Sequence, residues 1–285
     1  MKKFLSFILG VALSFSLAAC GSGAKTGTEG TASGDAAANA GGVQIKTVDD
    51  LKTLKLSAQR GTVGDSIAQD LLGERAETNL MTYEKYAEAI QALLQGKVQA
   101  VIMDEKPAER FLKEYGDKLT TMSEALSEEN YAIALRKGNG ELLNAVNKAL
   151  AKIQSEGTLD KITEKYNSDA EVKPSDIDFN VGAAGGKLIV GTEPGFAPYE
   201  LQVTDGFIGI DIELCAAIAK ELGRELQIKP MAFDSLPAAL NANQIDLACA
   251  GITVTDERKE NMDFTTDYVV GAKQVALVLK AEYAG

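Results

Sequence analysis

The sequence predicts an α/β protein of two lobes, each built on a mixed, parallel-rich sheet. From residue 44 onward, short apolar strands alternate with amphipathic helices, a pattern typical of such sheets. The alternation stops in the polar stretch 168–186 and then starts again. ALLQGKVQAVI (92–102) and ALNANQIDLAC (239–249) share Ala-Leu, four polar-leaning residues and an apolar strand. This echo suggests that the two lobes have a similar build.

The first half of the chain predicts three strands with helices between them. The strands are expected in LKLSAQ, VQAVIMDE and NYAIALRK, and the helices in GTVGDSIAQDLLG, YEKYAEAIQALLQGK and PAERFLKEYG. A long helix is expected in GELLNAVNKALAKIQSEG, and LDKITEKYN closes this half. Five apolar residues of that long helix recur at helical spacing: Leu142, Leu143, Val146, Leu150 and Ile153.

The second half repeats the alternation after the polar stretch. Strands are expected in KLIVGT, ELQIKPM, IDLACAGIT and QVALVLK. Helices are expected in GIDIELCAAIAKELG and SLPAALNAN, and a helical turn in TDERKENM. The intervening residues 168–186 contain one proline and end in glycines, which is typical of a linker.

The N-terminal residues have the pattern of an export signal. Lys2 and Lys3 precede the apolar run FLSFILGVALSFSL, and LAAC ends at Cys20. A run of about 14 apolar residues is short for a membrane span, and small residues before a cysteine predict a cleavage site. The pattern resembles a bacterial lipobox, so we expect a signal peptide at 1–19 and lipid, palmitate included, on Cys20. A cleaved signal without lipid is the alternative.

A flexible tether is expected at residues 20–43, which are rich in Gly, Ala, Ser and Thr and lack apolar periodicity. The remaining residues, about 240, are enough to bury one or two cores. They contain no further apolar run long enough to cross a membrane.

The composition excludes several classes of function. The 29 basic and 41 acidic side chains give a net charge of −12, which argues against nucleic acid or anionic lipid as a partner. The chain has no histidine, so Ser-His and Cys-His catalysis and histidine-ligated metals are excluded. We expect no catalytic residue, metal or cofactor. Cys215 and Cys249 fit small core positions, with a disulfide between them as the alternative in an exported protein.

Seven segments carry a family resemblance: GTEPGFAPYE, GFIGIDIELCAAIAKELG, PMAFDSLPAAL, IDLACAGITVTDERKENMDF, IKTVDDLK, AQRGTVGD and VQAVIMDE. Together they resemble the polar amino-acid-binding lipoproteins of ABC importers, and AGITVTDER is the most specific piece. The resemblance covers nearly everything from residue 44 to 280. It implies the type II periplasmic-binding-protein fold, in which two α/β lobes close on one ligand at a hinge.

The order of these segments differs from that of the family. There, the segment like KLIVGTEPGFAPYE comes first, and the one like QVALVLK runs directly into one like IKTVDDLK. Here IKTVDDLK (45–52) comes first and QVALVLK (274–280) last, with nothing duplicated. The chain therefore resembles a circular permutant, a change tolerated where termini are close and exposed. We expect residues 168–186 to join the family's usual termini, 44–127 to form the smaller lobe 2, and 128–285 the larger lobe 1.

Lobe 1 offers a clamp for a ligand carboxylate, which needs a bidentate guanidinium and oriented N–H groups. Arg258 follows the strand IDLACAGIT, with Thr253 and the backbone of Ala250 and Gly251 at the same strand end. Ligands bind at such strand ends in open α/β sheets. A solvated helix arginine is the alternative on spacing alone, and the AGITVTDER match favours the clamp.

Lobe 2 offers groups for both charged ends of the ligand. Thr62 in RGTVGD lies at a helix start, where N–H groups and a hydroxyl favour anions. An ordinary N-cap is the alternative, and a phosphate loop is disfavoured because no lysine follows in Walker spacing. Asp104 ends the strand VQAVIM, where the resemblance implies an ammonium-binding aspartate. A cap of the following helix is the alternative for Asp104.

The ligand's side chain needs apolar walls and a polar partner. The resemblance implies that Phe196 and Phe233 sandwich it, with core packing as the alternative for each. Glu193 stands where the family often has an aspartate that receives the side-chain head, and Gln59 is a second candidate contact. A carboxylate favours a donor-bearing head and repels an acidic ligand, so arginine, lysine, histidine and glutamine are favoured.

The function implied by the resemblance is that of an extracytoplasmic receptor. It would be monomeric, anchored to the cell membrane by lipid, and would deliver a polar amino acid to ABC permease subunits. A sensory ligand-binding module is the alternative, less favoured because no kinase, membrane-span or coiled-coil segment follows. A dehydratase-like enzyme is disfavoured because Glu193 is the only candidate general acid or base, and its family role is binding.

Overall fold

The structure is a computed structural model that describes residues 43–168, 171–179 and 184–285. The predicted signal peptide, Cys20, nearly all of the predicted tether and part of the linker lie outside the described residues. The described residues belong to one compact unit. Among them, no helix is both long enough and apolar enough to span a bilayer.

Strands and helices follow one another closely along the chain. The strands are β1 Leu56–Gln59, β2 Leu80–Tyr83, β3 Ala100–Asp104, β4 Leu119–Thr121, β5 Ser127–Tyr131, β6 Ala134–Arg136, β7 Lys187–Thr192, β8 Gly195–Phe196, β9 Glu200–Val203, β10 Gly206–Ile208, β11 Glu225–Pro230, β12 Leu247–Ala248, β13 Met262–Phe264 and β14 Val269–Leu279. The helices are α1 Val48–Leu51, α2 Val63–Leu72, α3 Ala76–Asn79, α4 Tyr86–Leu94, α5 Glu105–Tyr115, α6 Gly140–Ser155, α7 Thr158–Asn167, α8 Ile210–Glu221, α9 Leu236–Asn241 and α10 Asp256–Asn261. Short 3-10 turns lie at Gly73–Arg75, Pro174–Asp176 and Phe233–Ser235.

Two mixed sheets form the framework, which confirms the predicted α/β class. In lobe 2, the sheet has the order β2-β1-β3-β14-β4, with β5 also paired to β14, and helices α2, α4 and α5 pack on it. In lobe 1, the order is β11-β7-β12-β6-β13, and helices α8 and α9 pack on that sheet. The central strands are parallel in both, whereas β14, β6 and β13 run antiparallel to their neighbours. A small β10-β9-β8 sheet adjoins lobe 1.

The expected division of the chain into 44–127 and 128–285 is wrong in detail. Strands β5 and β14 both belong to the sheet of lobe 2. The chain therefore crosses between the lobes twice, between β5 and β6 and between β13 and β14. The single strand expected in NYAIALRK is split at the first crossing, where Ala132 and Ile133 are fully buried.

Strand β14 lies in the interior of the lobe 2 sheet, where its residues 275–278 are apolar on both faces. Val275 and Leu277 belong to one buried cluster, and Ala276 and Val278 to another on the opposite side of the sheet. A strand that is apolar on both faces is stable only in the interior of a sheet. Its place between β3 and β4 follows from this.

The first and last described segments lie side by side. Ile45 forms a parallel bridge with Tyr283. The Ile45 N–H donates to the Glu282 carbonyl at 2.7 Å, and the Ala284 N–H donates to the Ile45 carbonyl at 2.9 Å. The buried Ile45 side chain and the partly buried Tyr283 ring share the same apolar cluster.

Part of the predicted linker packs on lobe 1. Ile177 is buried, and the Leu226 N–H of β11 donates to the Phe179 carbonyl at 3.1 Å. Pro174 contacts Gly206 closely enough that a Cβ there would lie 3.1 Å from the proline ring. These contacts fix the described part of this segment against the β9–β10 hairpin.

Gly209, immediately before α8, is expected to tolerate no side chain. Its φ is +138°, and a Cβ would lie 2.0 Å from the Tyr199 carbonyl oxygen. We expect Gly209→Ala to cost about 3 kcal/mol, lowering Tm by about 6–12 °C in a thermal melt. Gly96→Ala is the control, because Gly96 also has a positive φ, +67°, but no atom within 4 Å of its Cβ position. Equal losses in both variants would contradict this explanation.

Candidate functional site

A narrow cavity of about 10 Å³ lies between the two lobes. Each of the ten predicted ligand-binding residues lines it: Gln59, Thr62, Asp104, Glu193, Phe196, Phe233, Ala250, Gly251, Thr253 and Arg258. Three lining residues were not predicted: Val63, Glu200 and Gln274. This volume has room for about one water, so a larger ligand enters only when the lobes separate or the lining side chains move aside.

The residues converge because they follow the carboxyl ends of parallel strands. Gln59 ends β1 and Asp104 ends β3 in lobe 2. In lobe 1, Glu193 follows β7, and Ala250 lies just beyond β12. Parallel strands place their carboxyl ends at one sheet edge, so the two edges face each other across the cavity.

Arg258 is held at the cavity by contacts with both lobes. Its Nη1 donates to the Thr253 carbonyl at 2.8 Å, and its Nη2 donates to the Gly61 carbonyl of lobe 2 at 3.0 Å. The guanidinium lies 5.4 Å from the centre of the Phe233 ring. Burial lowers the pKa of Arg258, while the nearby Glu129 and Asp104 oppose that shift. This geometry differs from that of a solvated helix arginine.

Asp104 is buried in lobe 2, and its surroundings raise the pKa of its carboxyl group. It accepts hydrogen bonds from the hydroxyls of Tyr86, at 3.4 Å, and Tyr131. Its side chain makes no capping bond to α5, so the helix-cap interpretation is wrong. Burial, reinforced by the charge of Glu129, raises the pKa of Asp104 to about 7. A cation placed beside it would favour its ionised form.

Thr62 has the geometry of an ordinary N-cap. Its hydroxyl donates to the Gln59 carbonyl at 2.8 Å and accepts from the Asp65 N–H at 3.2 Å. The Gly61 N–H donates to the Asp65 carboxylate at 2.9 Å, so it is already satisfied. The Thr62 hydroxyl therefore acts as an N-cap, which is compatible with its place in the cavity lining.

Aromatic rings form one wall of the cavity. Phe196 stacks with Tyr199 at 5.5 Å and with Tyr86 of lobe 2 at 6.0 Å between ring centres. Gly251 has a φ of +53°, and a Cβ there would lie 2.5 Å from the Phe196 ring. Glycine at position 251 therefore lets the ring lie directly against the backbone. Phe233 lies beneath the guanidinium of Arg258.

Acidic side chains outnumber the arginine around the cavity. Glu193 is 3% exposed, and burial raises its pKa, while interactions with Gln59 and the Gly195 backbone lower it. Glu200 is fully buried. Behind the lining, the Thr253 hydroxyl donates to the buried Glu129 carboxylate. With Asp104, the lining carries three carboxyl groups against one guanidinium, which favours a cationic ligand.

The unpredicted lining residues Gln274 and Glu200 reach the cavity through strand pairings that the sequence pattern does not show. Gln274 begins QVALVLK and pairs with Asp104 in the antiparallel register of β14 and β3. Glu200 starts β9 in the small hairpin sheet, which the sequence pattern did not predict. The sequence signal for Glu200 was an acidic residue with an apolar or aromatic residue on each side of it. Cys215 and Cys249 are both free and buried, as expected for core positions.

Similar proteins support a role in solute binding. A 91-residue match, 42% identical, covers 31% of this chain and 36% of the arginine-binding extracellular protein ArtP of Bacillus subtilis. A 143-residue match, 35% identical, covers 50% of this chain and 47% of the L-cystine-binding protein TcyJ of Escherichia coli. The matched regions thus span a third to a half of these relatives.

A solved structure gives a match of similar length. The arginine-bound form of domain 1 from TmArgBP is 33% identical, over 35% of this chain and 84% of that one. Its TM-score of 0.29 is too low to establish a likeness of the whole fold.

The family model of the bacterial extracellular solute-binding proteins, family 3, matches residues 60–169 and 188–283. These two matches take in most of the chain and include every residue of the cavity except Gln59. The chain therefore belongs to the bacterial extracellular solute-binding proteins of family 3, which confirms the predicted resemblance to polar amino-acid-binding proteins with a type II periplasmic-binding-protein fold.

Proposed function

We propose that this protein captures a polar amino acid between its two lobes. The observation that carries the proposal is the convergence of Arg258 and Asp104, one from each lobe, on one cavity. A free amino acid presents a carboxylate and an ammonium at fixed separation. A guanidinium and a carboxylate on opposite sides of a buried cavity are complementary to these two charges.

Each predicted residue has a role in this proposal. Arg258 binds the ligand carboxylate at the strand end formed by Ala250, Gly251 and Thr253. The Gly251 N–H and the Thr253 hydroxyl already donate to Asp211 and Glu129, so these residues shape the site around the guanidinium. Asp104 accepts from the ammonium. Phe196 and Phe233 enclose the apolar stem of the ligand's side chain. Glu193 and Gln59 contact the polar head group of that side chain. Thr62 contributes packing rather than a free hydroxyl, because that hydroxyl already caps α2.

Closure of the lobes follows from contacts that join them. Arg258 bonds to Gly61, Arg60 lies 3.7 Å from Asp234, and Tyr86 stacks with Phe196 across the cleft. A ligand held by both lobes would add to these contacts only when the lobes meet. Binding would therefore shift the population from an open form to the closed one.

We further propose that the closed form delivers its ligand to the membrane subunits of an ABC importer. ArtP and TcyJ are named for amino-acid binding, which supports the ligand class. The lipobox-like LAAC supports anchoring of a monomer through Cys20 at the outer face of the cell membrane. A sensory module and a dehydratase-like enzyme are the alternatives. Transport of labelled amino acid by cells that lack this protein would separate delivery from sensing.

Circular permutation is proposed from the order of the segments. It is supported by the side-by-side position of Ile45 and Tyr283, where the family's chain would be continuous. It is also supported by the packing of Ile177 and Phe179 on lobe 1, where a segment joining the family's usual termini would lie. Close, exposed ends are the condition under which permutation is tolerated.

Restoring the family's order should leave binding intact. The variant would run from residue 184 to 285, continue through a short Gly-Ser linker to residue 43, and end at 168. Because the cavity contacts do not depend on chain order, we expect the same ligand and an affinity within about threefold by calorimetry. The chain in its natural order is the control. A folded variant that binds nothing would contradict the proposed permutation.

The proposed function is tested by thermal-shift screening of the protein against the twenty amino acids. A ligand that binds only the folded state raises Tm, by an amount that grows with its concentration relative to Kd. We expect selective stabilisation by polar amino acids with donor-bearing side chains. No shift with any amino acid, confirmed by calorimetry, would overturn the proposal.

A further inference from the structure

Two buried carboxyl groups, Glu200 of β9 and Asp211 of α8, meet in lobe 1. Both side chains are fully buried, and they hydrogen-bond to each other. Asp211 Oδ2 accepts from the Gly251 N–H at 2.9 Å and from the Tyr268 hydroxyl at 2.7 Å. No N–H or hydroxyl donor among the described residues reaches Asp211 Oδ1 or either Glu200 oxygen. A hydrogen bond between two carboxyl groups requires one proton, so this pair is both a structural contact and a titratable group.

The surroundings favour placing that proton on Glu200. The bonds from Gly251 and Tyr268 already stabilise the negative charge of Asp211. Burial, followed by the charges of Asp211 and Glu193, raises the pKa of Glu200 well above its usual range. The favoured arrangement is therefore a protonated Glu200 that donates to an ionised Asp211. The other Glu200 oxygen is then uncharged, which costs less than a bare buried carboxylate.

The pair joins three segments that shape the cavity. Glu200 is paired with Phe196 in the register of β8 and β9. Asp211 lies in the first turn of α8 and holds Gly251 at the strand end, against the Phe196 ring. It also holds Tyr268, just before β14, where the chain crosses between the lobes for the second time. The aromatic wall, the strand end beside Arg258 and this crossing therefore depend on one hydrogen-bonded pair.

We propose that Glu200 and Asp211 are positioning residues, and that the proton they share holds the cavity wall in its ligand-binding arrangement. This role rests on the proposed function and adds regulation by pH to it. While the proton is present, Asp211 keeps its bonds to Gly251 and Tyr268. When the proton is lost, two buried carboxylates repel each other, which displaces Asp211 and loosens its hold on both partners. Ligand affinity should then fall, although neither carboxyl group is assigned a contact with the ligand.

Other titratable groups face the pair from the elements that pack around it. Among the described residues these are Glu193 after β7, Tyr199 before β9, Cys215 on α8, Cys249 beyond β12 and Tyr268 before β14. Burial raises the pKa of both tyrosines and of Cys249 above their usual values. The carboxyl pair is therefore expected to release its proton before these three groups do as pH rises.

Ligand-free thermal melts test the shared proton. Because the pKa of Glu200 is raised on folding, the stability from this proton is complete below the usual pKa and is lost as pH rises through the raised one. Glu200→Gln keeps the size, donates an N–H to Asp211 and has no proton to lose. Between about pH 5 and pH 9, we expect the Tm of the natural chain to fall by about 5 °C or more relative to that of Glu200→Gln. A constant difference in Tm over this range would overturn the shared proton.

Calorimetry tests positioning, with L-arginine as the first probe and then the amino acid that gives the largest thermal shift. At pH 7, Glu200→Ala leaves Asp211 without this donor and should weaken binding at least tenfold, whereas Glu200→Gln should restore most of the affinity. From pH 7 to 9, the natural chain should lose about tenfold in affinity relative to Glu200→Gln. This ratio cancels the titration of the ligand ammonium and of Asp104, which is common to both proteins. Asp205→Asn, an exposed turn residue of the same hairpin, is the control and should follow the natural chain at every pH.

The outcomes separate the positioning role from the proposed function. Equal affinity of Glu200→Ala and the natural chain, or parallel pH profiles of the natural chain and Glu200→Gln, would overturn positioning while amino-acid capture stands. If Glu200→Ala does not fold, the pH comparison with Glu200→Gln decides alone. A Glu200→Gln variant that does not fold at pH 7 would contradict the proposed bond, because glutamine supplies the same donor. If no amino acid binds the natural chain, the proposed function fails, and the ligand-free melts still decide whether the pair shares a proton.

Discussion

Replacing Arg258 by alanine is expected to weaken binding of L-arginine by about 100-fold or more, because a buried carboxylate would lose its cationic partner. Arg258 lies at the cavity with its guanidinium fixed by the carbonyls of Thr253 and Gly61. The substitution removes the bidentate fork for the ligand and one bond between the lobes. Calorimetry gives the change in Kd directly.

Two further variants make the Arg258 result specific. Arg258→Lys keeps the positive charge but not the planar fork, so we expect an intermediate loss of about tenfold. Lys259→Ala removes a neighbouring charge that pairs with Asp256 on the solvent side of α10, and should leave Kd unchanged. An unchanged Kd in Arg258→Ala would show that the ligand carboxylate binds elsewhere.

The Asp104→Asn substitution is expected to weaken binding by about 100-fold at pH 8, since the ligand ammonium would lose its only acidic acceptor among the described lobe 2 residues that line the cavity. Tyr86 and Tyr131 hold this carboxyl group in place, and both can also donate to an asparagine oxygen. The variant should therefore keep its fold and its ligand-free Tm. Glu109→Gln, an exposed change on α5, is the control.

The pH dependence of binding gives a second, independent test of Asp104 as the acceptor for the ligand ammonium. In the empty cavity its pKa is raised to about 7, by burial first and by Glu129 second. A ligand ammonium lowers this pKa, so the complex binds fewer protons than the free protein. Affinity should thus fall as pH drops below 7, by up to about tenfold per unit, and level off above it. Asp104→Asn should lose this component, and an identical pH profile in both proteins would contradict the assignment.

The convergence of the predicted site is a consequence of strand polarity. Asp104, Glu193 and Ala250 each follow an apolar strand, and parallel strands bring such positions to one sheet edge. The family resemblance, applied at these strand ends, therefore identified ten of the residues that line the cavity. Their exact hydrogen bonds were less predictable, as shown by Thr62, whose hydroxyl serves its own helix.

The features that could not be predicted from the sequence depend on contacts between residues that lie far apart along the chain. The apolar run NYAIALRK gives no sign that it changes sheets at Ala132 and Ile133, because the residues are buried in both environments. Gln274 reaches the cavity only through the antiparallel register of β14 with β3. Glu200 lines the cavity through the β8–β9 pairing, which the sequence pattern did not predict.

The central claim is that the two charged ends of one amino acid are held by opposite lobes. It is tested most directly by calorimetry with L-arginine, its primary amide, which lacks the carboxylate, and its N-acetyl derivative, which lacks the ammonium. We expect both derivatives to bind at least about 100-fold more weakly than L-arginine. In Arg258→Ala the amide should no longer be worse than the parent, and in Asp104→Asn the same should hold for the acetyl derivative. Binding of both derivatives as tightly as L-arginine would contradict the claim.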